Sequence, residues 1–315
     1  MPRRRSTTKA PPVDPALPRD FGARYADGVE RGVSLGGGGL FFVAWQVGYL
    51  QTLANHGVRF DSADRVVGTS AGSLVASALT SGKLKRLHSE VSLLAKVPAL
   101  VSSMAPASAL VPSQNRALEL FIAATDAEPD TVRAIGHAAL AAVTPKPEST
   151  RRNIALVVGP GGWPSDALHI TCVDAYTGER CVVTADTGTT PARAAAASSA
   201  VPGIFAPQPI ADRRCMDGGV GGSGVHLDVL AGSRRALVLS LTDGSQMEEA
   251  MMTLHPDEGK QELEDLKASG TDVVLRVPEE VDLLNLMSPA AVPDALAMGA
   301  RQATADVGEL SAFWG

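Results

Sequence analysis

The segment Gly68-Thr69-Ser70-Ala71-Gly72 sets a serine between two glycines at the spacing of a nucleophile elbow. A serine on a sharp strand-to-helix turn presents its hydroxyl outward, and small flanking residues let the strained turn close. The following helix would aim its free N–H groups and positive dipole end at the reacting centre. A plain glycine-rich turn with a helix-capping serine fits the same five residues. About thirty residues upstream stand four consecutive glycines, Gly36-Gly37-Gly38-Gly39. Such a loop offers unblocked backbone N–H groups that can stabilise an oxyanion, worth roughly 3–4 kcal/mol per donor. It does not fit a nucleotide loop. Phe41 or Phe42 falls where a dinucleotide fingerprint needs its last glycine, and the Lys-Ser/Thr pair of a Walker loop is missing.

A nucleophilic serine needs a base. A triad in the chain order Ser, acid, His would draw on His226 or His255. That arrangement places several strands before its nucleophile, whereas this elbow follows only the second expected strand, and both histidines read as surface residues. Asp217, in Cys215-Met216-Asp217-Gly218-Gly219, follows an extended segment. Gly218 and Gly219 permit the tight backbone that would bring its carboxylate against a hydroxyl, where it can serve as general base. Asp-Gly is also a common hairpin turn, and on these residues alone the turn is the stronger reading.

The elements that must hold these residues follow from periodicity. Residues 33–35 and 65–67 are short apolar strands, each running into a glycine turn and then a helix, at 40–55 and through about Leu79. Two consecutive βα units predict an α/β fold with a mostly parallel sheet and helices on its faces. From Lys83 to about Thr150 the pattern is helical and broken by Pro98, Pro106, Pro112, Pro129 and Pro145. It reads as a covering insertion, with Leu118, Leu120, Phe121 and Ile122 as an apolar entrance. Further strands are expected at 154–158, 169–173, 180–184, 236–241 and 273–277. Thr190-Pro191 opens an Ala-rich helix, and a last helix begins near Ala290. Residues 1–30 read as a flexible tail, and 31–315 as one domain.

At 315 residues, 45% hydrophobic and 20% charged, the chain can build a full core. With aromatics at 4%, packing must rely on small residues and close backbone approach. A net charge of −6 argues against nucleic acid as a partner. Cys172, Cys181 and Cys215 lack metal-ligand spacing and read as reduced thiols of a cytoplasmic protein. No apolar run follows Arg3, Arg4 and Arg5, so a secretory signal is not expected there. Nor does any stretch approach the roughly 18 apolar residues of a spanning helix.

Together, the glycine loop leading into Ala44-Trp45, the elbow and Asp217-Gly218-Gly219 resemble the patatin-like phospholipases, particularly their bacterial forms. The segment Ala196-Ala197-Ser198-Ser199-Ala200-Val201-Pro202-Gly203-Ile204-Phe205 strengthens the match. The resemblance spans about 33 to 220. It implies the family's three-layer fold and a catalytic dyad of Ser70 and Asp217. It also implies an oxyanion hole from Gly37, Gly38 and Gly39, with Gly36, Gly68, Gly72, Gly218 and Gly219 as supporting residues, and no metal or other cofactor. The substrate would be a lipid or other acyl ester, and a lipid substrate implies contact with a membrane interface. One departure is the pair Phe41-Phe42, where many members carry a basic residue and glycine; it predicts either a different loop conformation or a more apolar mouth. Lipid acyl hydrolysis is the leading function. The alternatives are the same chemistry on small soluble esters or thioesters, and lipid binding without catalysis. Oligomeric state is not legible in these residues.

Overall fold

A computed structural model describes residues 13–96, 109–243 and 256–315. Eight strands form one sheet: β1 (Arg31–Leu35), β2 (Arg65–Gly68), β3 (Leu168–Asp174), β4 (Arg180–Val183), β5 (Gln208–Ile210), β6 (Arg213–Asp217), β7 (Arg235–Leu239) and β8 (Asp272–Arg276). Along the sheet the order is β5-β6-β3-β2-β1-β7-β8, with β4 paired to β3. β3, β2, β1, β7 and β8 are mutually parallel, while β4 and β6 run antiparallel to β3.

β3 is the junction of this sheet. Ile170 faces Gly68 of β2 on one edge and Val183 of β4 on the other. Two residues on, Cys172 faces Asp217 of β6 and Cys181 of β4. Each strand edge accepts one partner, so β2 and β6 share the edge of β3 that β4 leaves free. They run toward each other there, and their C-terminal ends, Gly68 and Asp217, meet across Thr171.

Helices cover both faces. On one lie α1 (Gly39–Asn55), α2 (Ala71–Thr80), α3 (Leu84–Lys96), α6 (Pro147–Val158), α7 (Pro191–Ser198) and α9 (Val292–Trp314), sharing a core with Val33, Leu35, Ile170 and Leu237. Alternate strand residues turn to the opposite face. There, Val67, Ala236 and Val238 pack with Leu266 of α8 (Pro256–Ala268), and Val173 and Met216 pack under α4 (Pro112–Ile122) and α5 (Pro129–Ala141). The doubly covered, mostly parallel sheet is the α/β architecture read from the βα units.

Three expectations change. Residues 154–158 are the last turns of α6, not a strand. Ile154, Val157 and Val158 turn to the core while Leu156 is exposed, which is a helical period; the run was too short for its composition to decide. The chain from 13 onward is not a loose tail. Ala16 bridges Cys181, Val182 N–H donates to Pro15 O at 2.8 Å, and Arg180 donates to the carbonyls of Leu17 and Pro18, so this segment covers the outer edge of β4. Arg3, Arg4 and Arg5 lie outside the described residues, as do Pro98, Pro106 and His255. Phe121 is the buried anchor of the small core under α4 and α5, packed with Val132 and Ile135, and therefore does not line an entrance. Among the described residues no helix is long and apolar enough to cross a membrane.

The scarcity of aromatics is met by glycine. α1 is buried on nearly every side, and its Phe42, Trp45 and Tyr49 rings stack with centroids 5.3 and 5.1 Å apart. α9 crosses α1 so closely that a Cβ on Gly299 would stand 2.2 Å from Trp45 O, and one on Gly48 2.3 Å from Leu296 O. Gly299→Ala must push these helices apart. A loss of about 1–3 kcal/mol is expected, read from urea unfolding of the two proteins.

Candidate active site

Ser70 is the residue before α2, and its backbone sits at φ 49°, ψ −117°. A positive φ on a residue with a side chain costs about 1–3 kcal/mol and persists only where its surroundings over-determine it. Here they do. Ser70 N–H donates to Ser198 Oγ at 2.8 Å, and Ser70 O accepts from Ser73 Oγ at 2.6 Å and from Ser73 N–H at 2.9 Å. Gly72 N–H donates to Thr69 O and to Gly36 O, and Thr69 N–H donates to Leu35 O. Only glycine fits at 72, because a Cβ there would lie 1.9 Å from Leu35 O. The elbow is thus clamped onto the end of β1.

Asp217 ends β6. Its Oδ2 accepts from Ser70 Oγ at 2.7 Å, and its Oδ1 accepts from Gly219 N–H at 2.8 Å. Its own N–H donates to Ala200 O, in the loop that follows α7. The two strand ends are joined a second time by Thr69 Oγ1 and Thr171 Oγ1, 2.7 Å apart. Gly218 must be glycine, since a Cβ would fall 2.7 Å from Thr171 Oγ1 and 2.8 Å from Thr171 O. Asp217 caps a short 3₁₀ turn, Gly218–Gly221, and is not part of a hairpin turn. Asp217 is 3% exposed. Burial pushes its carboxyl up to about 6, against the lowering pull of the Gly219 N–H and the Ser70 hydroxyl. A carboxylate raised in this way and bonded to a serine hydroxyl is equipped to take its proton.

The glycine loop lies alongside. A Cβ on Gly37 would be 3.2 Å from Ser70 Cβ, so the loop touches the serine side chain. Gly36 is tied down through its N–H to Leu239 O and through its carbonyl to Gln46 Nε2. The N–H groups of Gly37 and Gly38 donate to no acceptor among the described residues. Gly39 adopts φ 64°, and a Cβ there would lie 2.6 Å from Leu286 O, the same carbonyl that accepts from Phe41 N–H at 3.0 Å. Gly68 closes β2 as the residue before the elbow turn.

Two residue readings are corrected. Phe41 and Phe42 do not form a mouth; at 6% and 0% exposure they belong to the core, because the first turn of α1 is covered by residues 286 and 287. His226 is buried, not a surface residue. Its Nε2–H donates to Gly218 O at 3.0 Å, and burial pushes the ring down to about 3, so it stays neutral and fixes the backbone beside Asp217. Among the described residues, no histidine ring hydrogen-bonds to Ser70 Oγ or Asp217. Ser198 accepts from the Ser70 amide, a role its motif does not reveal, because its position at the end of α7 is set by tertiary packing. A cavity of about 330 Å³ lies elsewhere, at the far end of α2, lined by Ser77, Ser81, Lys83, Gly159 and Pro191.

A family model described as Patatin-like phospholipase matches residues 33–230. Among solved structures the chain is similar to VipD from Legionella pneumophila, at 13% identity and a TM-score of 0.42, covering 96% of this chain and 69% of that one. Comparison with curated proteins gives no match.

The raised carboxyl has a consequence for stability. Asp217 holds its proton more tightly in the folded chain than the ordinary value of 3.8, so stability is lost as pH rises from about 4 to about 6 and stays lower above that. Asp217→Asn keeps an oxygen for Gly219 N–H and removes the buried charge. It should stabilise the protein at pH 8 by up to about 3 kcal/mol, a gain that shrinks at pH 5, as read from denaturant unfolding at the two pH values.

Proposed function

We propose, for a chain that belongs to the patatin-like phospholipase family, that it is a lipid acyl hydrolase working through Ser70 and Asp217. The family supports acyl-ester hydrolysis of lipids as the class of reaction. The observation that carries the finer reading is the 2.7 Å hydrogen bond from Ser70 Oγ to a buried carboxylate that no cation among the described residues neutralises.

In the first half-reaction Ser70 Oγ attacks the ester carbonyl as its proton passes to Asp217 Oδ2. The carbonyl oxygen becomes an oxyanion held by the N–H groups of the glycine loop, with Gly37, Gly38 and Gly39 as donors. The tetrahedral intermediate collapses, the alcohol leaves with the proton from Asp217, and the acyl group stays on Ser70. In the second, water gives its proton to Asp217 and attacks the acyl-enzyme, releasing the fatty acid and returning the proton to Ser70. Asp217 alternates between base and acid, so a carboxyl near 6 is better matched to both roles at neutral pH than one near 4.

Fluorophosphonate labelling tests the activated serine. Wild type should be modified at Ser70, Ser70→Ala not at all, and Asp217→Asn at a rate lower by two orders of magnitude or more; a folded wild type that resists the probe would sink the reading. Because the two residues act as one unit, the double variant should hydrolyse no more slowly than the worse single one. The pH profile of kcat/KM on a monomeric ester should fall on the acid side with a midpoint near 6, as Asp217 becomes protonated. A rate that climbs when the substrate aggregates would favour lipid over small soluble esters.

A further inference from the structure

Beneath the candidate base lies a second set of reactive groups. Cys172, Cys181 and Cys215 come from three strands, β3, β4 and β6, and are free thiols with no solvent exposure. Cys172 and Cys181 are direct cross-strand partners. Cys172 also faces Asp217, so Cys215, two residues earlier on β6 and on the same face, lies diagonally across from it. The three sulfur atoms all stand within 4.8 Å of one another. Three thiolates about 2.3 Å from a common ion would stand roughly 4 Å apart, so a contraction of less than an ångström completes such a site.

The donor set constrains the ion. No histidine or carboxylate among the described residues joins the group, leaving three sulfurs and no fourth ligand. Structural zinc takes four ligands, whereas an all-thiolate set favours Cu(I). The Cys181 thiol also lies within reach of Glu179 O, 3.8 Å away. Arg213, on β6 two residues before Cys215, is paired with Asp14, Asp174 and Glu179.

We propose that Cys172, Cys181 and Cys215 form a three-coordinate thiolate site for a soft monovalent metal ion, Cu(I) by chemistry. The bound ion would cross-link β3, β4 and β6 just behind Asp217. Because α7 packs on β3, β5 and β6 over this face and ends in Ser198, the same ion would also stiffen the support of the Ser70 amide.

The test uses the full chain, anaerobically reduced, and reads binding rather than hydrolysis, so it stands or falls apart from the hydrolase reading. The buried thiols are reached both by long incubation of the native protein with Cu(I) and by refolding in its presence, followed by competition with bicinchoninate. The expected result is one Cu(I) per chain, a thiolate-to-copper absorption band and a raised Tm. Cys181→Ser, folded by circular dichroism, should weaken binding by roughly a hundredfold or more, since disturbing groups outside the ligand shell alone costs about 10–100-fold. Cys215→Ala serves the same purpose if Cys181→Ser misfolds. Failure of wild type to retain copper by either route, retention by the cysteine variants, or displacement of Cu(I) by Zn(II) would overturn the site.

Discussion

The arrangement of the molecule rests on two strands meeting end to end. β2 and β6 share one edge of β3 and approach from opposite directions, so that Gly68 and Asp217 finish on either side of Thr171. A parallel sheet alone would send its strand ends to one rim and leave a serine there without a base from the same edge. The antiparallel return of β6 brings a carboxylate to that rim within 2.7 Å of the serine hydroxyl. The Thr69–Thr171 contact and the glycine at 218 are what this close meeting requires, and α7 braces it by binding the Ser70 amide with Ser198.

Energetically, the site is held against two local costs. The Ser70 backbone is strained, and the Asp217 carboxyl is buried with no cation beside it among the described residues. Both are opposed by many ordinary hydrogen bonds, including a ladder along α2 in which Ser73, Ser77 and Ser81 each donate a hydroxyl to the carbonyl of the preceding serine. Functional sites commonly keep such strain while the surrounding scaffold holds it in place.

Local patterns were readable and long-range meetings were not. The elbow could be read because its strand, turn and helix are contiguous, and Gly72 is demanded by a neighbour only one βα unit away. Asp217 could not be paired with Ser70 from residue types, since Asp-Gly fits a hairpin equally well and the pairing depends on the return of β6. The run at 154–158 was misread because five apolar residues suit either period. The burial of Phe41, Phe42 and His226 is not legible locally because their cover comes from distant parts of the chain, residues 286–287 in the case of the phenylalanines. The three cysteines have no metal-ligand spacing along the chain, and only the register of three strands gathers their sulfurs.

The carbonyl of Leu286 accepts from Phe41 N–H, and the segment around it closes over Gly39. That segment lies beyond the matched stretch of 33–230 and is joined to α9, whose backbone rests on α1. During synthesis on a ribosome, Ser70 and Asp217 therefore both emerge well before the residues that set the glycine loop. The glycine loop takes its shape only once residues 286–287 and α9 have docked on α1.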